Sequence, residues 1–164
     1  MRKDDKFDAF LKEHVGAVTL FARATCGVNH LVDDIVQETF IRAWRYYPTL
    51  RAEHSARSWV IRICRNVQND FAPKWRQEPN IFLGEHADTS DAYGTSDIFS
   101  LMQALSKDHR EVLVLCGFMG YDYETISEVL EVPIGTIRSR LARARAIMTK
   151  LLEDTEAIPA TEIA

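Results

Sequence analysis

Cationic side chains are concentrated in one stretch near the end of the chain. Five Lys and Arg residues and no Asp or Glu lie between positions 138 and 150. If this stretch is a helix, a rotation of about 100° per residue brings short polar side chains and arginines onto its outer side. Such a surface suits duplex DNA, because short side chains let the backbone approach base edges while arginines reach phosphates or guanine. The predicted contacts are Thr136, Arg138, Ser139, Arg140 and Arg143.

The alternative for this stretch is a surface helix whose basic residues favour its C-terminal dipole. That alternative accounts for Arg145 and Lys150. It does not account for Arg138 and Arg140, which fall in the first turns, where cations are disfavoured. DNA contact is therefore the preferred interpretation.

A second group of arginines accompanies aromatic and amide side chains in the middle of the chain. Positive charge binds phosphates, and planar groups stack on unpaired bases, so this mixture is typical of single-strand and duplex binders. The alternative is a solvated arginine face above buried aromatic rings, and both interpretations stay open at this point. The residues concerned are Trp59, Arg62, Arg65 and Asn66.

Nothing in the sequence indicates catalysis or cofactor binding. The five histidines are isolated, and we find no nucleophile motif, no Gly-rich phosphate loop and no paired ligands. The three cysteines are far apart and lack zinc-site spacing, so neither a metal site nor a disulfide framework is expected. We predict a protein that is not an enzyme and has no cofactor or metal.

Helical periodicity accounts for nearly all of the apolar residues. Three segments with apolar residues every three or four positions begin near Asp8, Asn29 and Ser55, and Pro73 is expected to end or kink the third. Later segments cover 98–117, with a possible break at Ser106, then 123–130 and 134–152. The last two are separated by three residues, which is helix-turn-helix spacing. The predicted class is all-α.

The net charge of −4 conceals an uneven distribution along the chain. Residues 1–76 hold 13 basic and 9 acidic side chains, and 98–152 hold 7 and 6, so both segments are net positive. The stretches 77–97 and 153–164 have no basic residue and hold 5 and 4 acidic ones. We predict two small helical domains, an N-terminal helical bundle at 1–76 and a C-terminal helix-turn-helix at 98–152, joined by a flexible acidic linker at 77–97. An acidic tail at 153–164 follows.

The N-terminus has no signal-peptide pattern, and no apolar run approaches the roughly 20 residues of a membrane helix. We therefore expect a cytoplasmic protein without membrane insertion.

Four separated blocks of sequence together carry a family resemblance. They read VDDIVQETFIRAWR at 32–45, SWVIRICRN at 58–66, REVLVL at 110–115 and VPIGTIRSRLARAR at 132–145. In order and spacing these blocks resemble the extracytoplasmic-function (ECF) RNA polymerase sigma factors of the sigma-70 family. The resemblance covers roughly residues 7–76 and 98–152.

The resemblance implies a promoter-recognition subunit that binds the RNA polymerase core and initiates transcription at specific promoters. Its first domain would correspond to sigma region 2, melting the −10 element with the third helix and the loop before it, through Trp59, Arg62, Arg65 and Asn66. Its second domain would correspond to region 4, reading the −35 element through the final helix and docking on the polymerase β flap. The segment matched to the β′ clamp-helix contact contains Asp33, Asp34, Gln37, Glu38, Thr39 and Arg42.

The resemblance also implies an anti-sigma factor as a further partner. An alternative function is a sigma-like decoy that binds an anti-sigma protein without promoter recognition. The intact arginines of the last helix and Asn66 favour the first function, since a decoy has no need of them. One departure from the family pattern is Glu131, which stands where glycine is common at the turn. An αL conformation there would cost about 1 kcal/mol.

Overall fold

The computed structural model describes residues 2–51, 55–75 and 95–156, with side chains placed at 2–51, 55–72 and 98–156. These residues are helical apart from short turns, and they contain no strand. The chain divides into two compact units, the first built mainly on residues before position 76 and the second mainly on those after 94. The all-α prediction is confirmed. The loop residues 52–54, most of the predicted linker and tail residues 157–164 lie outside the described part of the chain.

Three long helices form the first unit: α1 (Lys3–Cys26), α2 (Val32–Tyr46) and α3 (Ala56–Trp75). Helix α1 ends at Gly27, whose φ of 74° is the left-handed conformation typical of a helix C-cap. The segment predicted to begin near Asn29 opens with a 3₁₀ turn, Asn29–Leu31, that leads into α2. Helix α3 continues two residues beyond Pro73, so this proline does not end it.

The three helices pack against one another around a core that includes Phe21, Ile35 and Ile61. On α3, Ile61 is fully buried, whereas Ile63 is half-buried. Helix α3 also buries Gln68, whose amide exchanges hydrogen bonds with the Thr25 hydroxyl of α1 at 2.9 and 3.1 Å. A buried polar pair of this kind has no signature in apolar periodicity.

The second unit contains α4 (Thr95–Met102), α5 (Lys107–Leu113), a π-helical turn (Val114–Phe118), α6 (Tyr123–Leu130) and α7 (Ile134–Glu156). The break expected at Ser106 is present, because the Ser106 hydroxyl caps α5 by accepting a hydrogen bond from the backbone N of His109. Helix α4 begins three residues inside the predicted linker, and α7 extends four residues into the predicted tail.

Helices α5 and α7 make the main packing contact of the second unit. Its core includes Met102, Leu115, Ile126, Ile137 and Leu141, each with almost no exposed surface. Within the described residues, no helix combines the length and the apolar character needed to cross a membrane.

Candidate nucleic-acid interface

A tight turn between α6 and α7 fixes where the cationic helix begins. Glu131 adopts a φ of 57°, and the Ser127 hydroxyl donates a 2.6 Å hydrogen bond to the carbonyl of Val132. The carbonyl of Pro133 then accepts hydrogen bonds from the backbone N of Thr136 at 2.9 Å and of Ile137 at 3.1 Å. Proline suits this position because a helix leaves its first N–H groups without partners in any case.

The start of α6 is capped by a carboxylate. Asp122 accepts a 2.7 Å hydrogen bond from the backbone N of Thr125. Hydrogen bonds from the side chain and the backbone of Thr125 lower the pKa of Asp122, so the cap is ionised at neutral pH. The two helices of the predicted motif therefore have defined starting points.

Helix α7 presents one buried face and one exposed face. Ile137, Leu141 and Ala144 are buried. Arg138, Ser139 and Arg143 are exposed, whereas Thr136 and Arg140 are half-buried at the edge between the faces. Three of the five predicted DNA contacts are thus fully available on the outer side of α7.

Two of the arginines of α7 also interact with other side chains of the second unit. Arg140 forms an ion pair with Asp108 of α5, with Nη2 of Arg140 3.1 Å from Oδ2 of Asp108. The guanidinium of Arg138 lies 5.9 Å from the ring centroid of Tyr123, within the range of a cation–π contact. Both contacts hold arginine side chains beside the exposed face, and neither has a signature in the sequence.

The predicted −10 residues occupy α3 unequally. Arg62 and Asn66 are exposed, one turn apart on the same side of the helix. Trp59 is half-buried and packs edge-on against Phe10 of α1, with ring centroids 5.9 Å apart. Arg65 is half-buried and lies about 100° around the helix from Asn66. Part of the arginine and aromatic group therefore belongs to packing, and Arg62 and Asn66 form its accessible edge.

The polar face of α2 contains exposed and bonded residues side by side. Asp33, Asp34 and Gln37 are exposed. Arg42 donates from Nε to Glu38 at 2.7 Å and from Nη1 to Asp70 of α3 at 2.5 Å. These hydrogen bonds, first with Glu38 and then with Asp70, raise the pKa of Arg42 above its already high ordinary value. Arg42 and Glu38 thus link α2 to α3 as well as contributing to the polar face.

Thr39 and Ile41 differ from what their residue types suggest. Thr39 was predicted on the partner-binding face, but it is fully buried and its hydroxyl donates to the carbonyl of Ile35 at 2.6 Å. Thr39 therefore does not belong to the exposed polar face of α2. Ile41, in contrast, is 46% exposed in the middle of the same face. The sequence showed Ile41 on the polar side of α2, and that misplaced apolar residue was the available signal.

In the ranges 2–51, 55–75 and 95–156, no three His, Cys, Asp or Glu side chains are arranged to hold a metal ion. Cys26 and Cys64 are buried and Cys116 is half-buried.

Two family models match the chain, one over each unit. Residues 10–77 match sigma-70 region 2, and residues 96–148 match sigma-70 region 4. Curated relatives include the ECF RNA polymerase sigma factor SigC of Mycobacterium tuberculosis, which is 34% identical over 91% of this chain and 83% of the relative. The ECF RNA polymerase sigma factor EcfG of Rhodopseudomonas palustris is 30% identical over 84% of this chain and 80% of the relative.

Solved structures with the same fold include two that were determined as complexes with a second protein. The sigma factor RpoE in complex with the anti-sigma factor NepR, from Bartonella quintana, superposes with a TM-score of 0.79 at 26% identity, over 93% of this chain and 98% of that one. CnrH in complex with the cytosolic domain of CnrY gives a TM-score of 0.72 at 25% identity, over 92% and 90%.

Proposed function

This chain belongs to the sigma-70 family as an ECF RNA polymerase sigma factor, and we propose that it directs the polymerase to promoters by melting the −10 element and reading the −35 element. Sigma factors are transcription regulators and not enzymes, so no catalytic residue is assigned. The observation that carries the proposal is the exposed face of α7, where Arg138, Ser139 and Arg143 point outward within the region 4 match.

The −35 contacts in this proposal come from α7. Arg138 and Arg143 bind phosphates or guanine. Ser139 lies between them, and its side chain is short enough for the helix backbone to approach the base edges. Thr136 and Arg140 contribute from the edge of the face, and Arg140 exchanges Asp108 for DNA when it does so.

The −10 contacts come from α3 of the first unit. Arg62 supplies charge for the phosphates, and Asn66 supplies an amide for an unpaired base. Trp59 and Arg65 are half-buried, so they support this edge and contribute their accessible atoms. Unpaired DNA is the expected ligand because stacking and amide contacts need base faces and edges that a closed duplex hides.

The polymerase core binds both units. The exposed residues of α2, Asp33, Asp34 and Gln37, together with Ile41, meet the β′ clamp helices, while Glu38 and Arg42 hold this face against α3. Exposed apolar side chains on the second unit, including Phe118 (40% exposed) and Leu152 (45% exposed), suit the β flap. An apolar residue at the centre of a polar face contributes most when it is desolvated, so Ile41 is the expected hot spot on α2.

The test reconstitutes the purified full chain with core RNA polymerase and a library of randomised promoter fragments. Transcripts initiated by the holoenzyme are sequenced to define the promoter. On that promoter, Arg138→Ala combined with Arg143→Ala should reduce retention of the duplex, and Asn66→Ala should reduce strand opening while closed binding persists. Lys150→Ala is the control for losing a positive charge away from the proposed contacts, because Lys150 is exposed at the far end of α7.

Core binding is measured separately. Ile41→Ala should weaken the complex with core polymerase. Val15 of α1 is also an exposed apolar residue, at 36% exposure, and Val15→Ala should leave the affinity for core polymerase unchanged. Equal affinities for both variants would contradict the role assigned to α2.

The second candidate function is the sigma-like decoy. It would be favoured if the chain bound an anti-sigma protein but no holoenzyme initiated from any fragment of the library. The exposed Arg138, Arg143 and Asn66 support the promoter-recognition function over the decoy. We also propose an anti-sigma partner for this chain, since the similar sigma factor RpoE was solved in complex with the anti-sigma factor NepR. The cytoplasm, where the polymerase acts, is the proposed location.

A further inference from the structure

Gly135 is a glycine in the first turn of α7 that the fold does not require. A Cβ atom added at this position meets nothing within 4 Å, and the residue is exposed. Its φ is not among the positive values found at Gly27 and Gly120, so the backbone there suits any L-residue. Glycine is nevertheless the least favourable helix residue after proline. Neither packing nor backbone conformation explains why the position lacks a side chain.

The position of Gly135 on the helix gives a reason outside the fold. With about 100° per residue, Gly135 lies near the middle of the exposed face, in line with Ser139 and Ala142. Both of these residues are small and exposed. Arg143 lies on one side of this line, and Arg138 and Arg145 lie on the other, all exposed. The centre of the exposed face therefore has short side chains, and both of its edges have long, positively charged ones.

We infer that Gly135 is the point of closest approach between α7 and the −35 duplex, and that the absence of its side chain sets the depth at which the helix docks. This inference rests on the proposed −35 function of α7. A missing Cβ allows the helix backbone to approach a ligand more closely than any other residue permits. A side chain there would hold the duplex away, so the flanking arginines would reach the phosphates in poorer geometry.

The inference predicts opposite effects on folding and on DNA binding. Gly135→Ala should raise the unfolding midpoint of the full chain, because alanine restricts the unfolded state and fits the open space. The same substitution should weaken promoter binding by the reconstituted holoenzyme by about tenfold, the size of one poorly matched base pair. Gly135→Leu also introduces a good helix former, but its side chain is larger than that of alanine. It should therefore weaken promoter binding further than Gly135→Ala does.

Gly16 of α1 provides the matched control. It is also an exposed helical glycine whose added Cβ would meet nothing within 4 Å. Gly16→Ala should therefore raise the unfolding midpoint and leave promoter binding unchanged. Affinity for core polymerase is measured for every variant, and it should be the same for wild type, Gly135→Ala and Gly135→Leu.

The experiment compares a fragment selected by the wild-type holoenzyme with the same fragment carrying a scrambled −35 element. The Gly135 variants should lose affinity for the first and match wild type on the second. Unchanged affinity of Gly135→Leu for the selected fragment would overturn the inference. A lower unfolding midpoint of Gly135→Ala would also overturn it, because glycine would then be required by the fold. If the wild-type holoenzyme selected no fragment, or bound the intact and scrambled fragments equally, the proposed −35 function itself would fail.

Discussion

Arg140 of the cationic helix is paired with Asp108 of α5, with 3.1 Å between the guanidinium nitrogen and the carboxylate oxygen. The Arg140 side chain is 23% exposed, whereas Arg138 two residues earlier is exposed. A phosphate that binds Arg140 must displace Asp108 or lie beside its negative charge. Arg138 and Arg140 have the same residue type and neighbouring positions in the sequence. In the folded protein they differ in exposure and in their partners.

This difference predicts unequal effects on salt dependence. Arg138→Ala should reduce the slope of log affinity against log salt for promoter duplex by about 0.9, the value for one lost phosphate contact. Arg140→Ala should reduce it by less, because part of its charge is already neutralised by Asp108. The measurement is holoenzyme binding to the selected promoter at several salt concentrations.

Asp108→Asn provides the control for that prediction. It removes the carboxylate but leaves Arg140 in place, so the slope should become steeper than in wild type. If Arg140→Ala reduced the slope as much as Arg138→Ala does, the ion pair between Arg140 and Asp108 would have no influence on DNA binding.

The hydrogen bonds of Arg42 predict a loss of stability in the first unit. Arg42→Ala should lower the free energy of unfolding by about 1 kcal/mol, at the upper end for partly exposed ion pairs, because one guanidinium joins Glu38 and Asp70. Arg42→Lys should restore only part of this, since an ammonium lacks the planar fork that reaches both carboxylates. Urea denaturation measures the difference. Full recovery with lysine would mean that charge alone matters.

The buried His14 predicts a loss of stability on the acidic side of neutrality. Burial, reinforced by the charge of Arg57 and opposed by that of Glu13, lowers the pKa of His14 below its ordinary value of 6.5. As pH falls through 6.5, the unfolded chain takes up a proton that the folded chain resists. Unfolding therefore becomes easier from about pH 6.5 down to the lower pKa of the folded state.

Urea midpoints between pH 8 and pH 5 test this relation. His14→Gln should make the midpoint less dependent on pH in that window, whatever its effect at pH 8. An identical pH profile for His14→Gln and wild type would exclude His14 as the titrating group.

The left-handed conformation of Glu131 predicts that glycine is better at this turn. Glu131→Gly should raise the free energy of unfolding by about 1 kcal/mol, because glycine adopts a φ of 57° without steric cost. Glu131→Ala removes the carboxylate but retains the Cβ, so it isolates the backbone effect. If alanine and glycine stabilised the chain equally, backbone strain would not be the cause.

Much of the fold could be predicted from local signals. Gly27 marks the end of α1, Ser106 separates α4 from α5, and the bounds of α6 are those predicted from periodicity. Pro73 was predicted to end or kink α3, and the helix ends two residues after it, at Trp75. Gln68 was missed, since its burial depends on Thr25, which is 43 positions away in the chain.

The predicted site residues lie on the helices expected for them, and they differ from one another in exposure. Thr39 was assigned to the partner-binding face by the family resemblance, but it is fully buried. Ile41 was left out of the predicted contacts although its spacing places it on the polar side of α2. Such errors occur because residue type gives a preference for burial, whereas actual burial depends on which face of the helix its neighbours cover.

The sequence by itself determined the family, the helices and the cationic helix of the second unit, because four blocks of residues and helical periodicity are local properties of the chain. Only the tertiary structure decided which arginines of that helix are available, since Asp108 and Tyr123 are distant in sequence and meet Arg140 and Arg138 only after folding. It also showed that Gly135 faces open space. Pairing and empty space are relations between elements, and no single segment of sequence contains them.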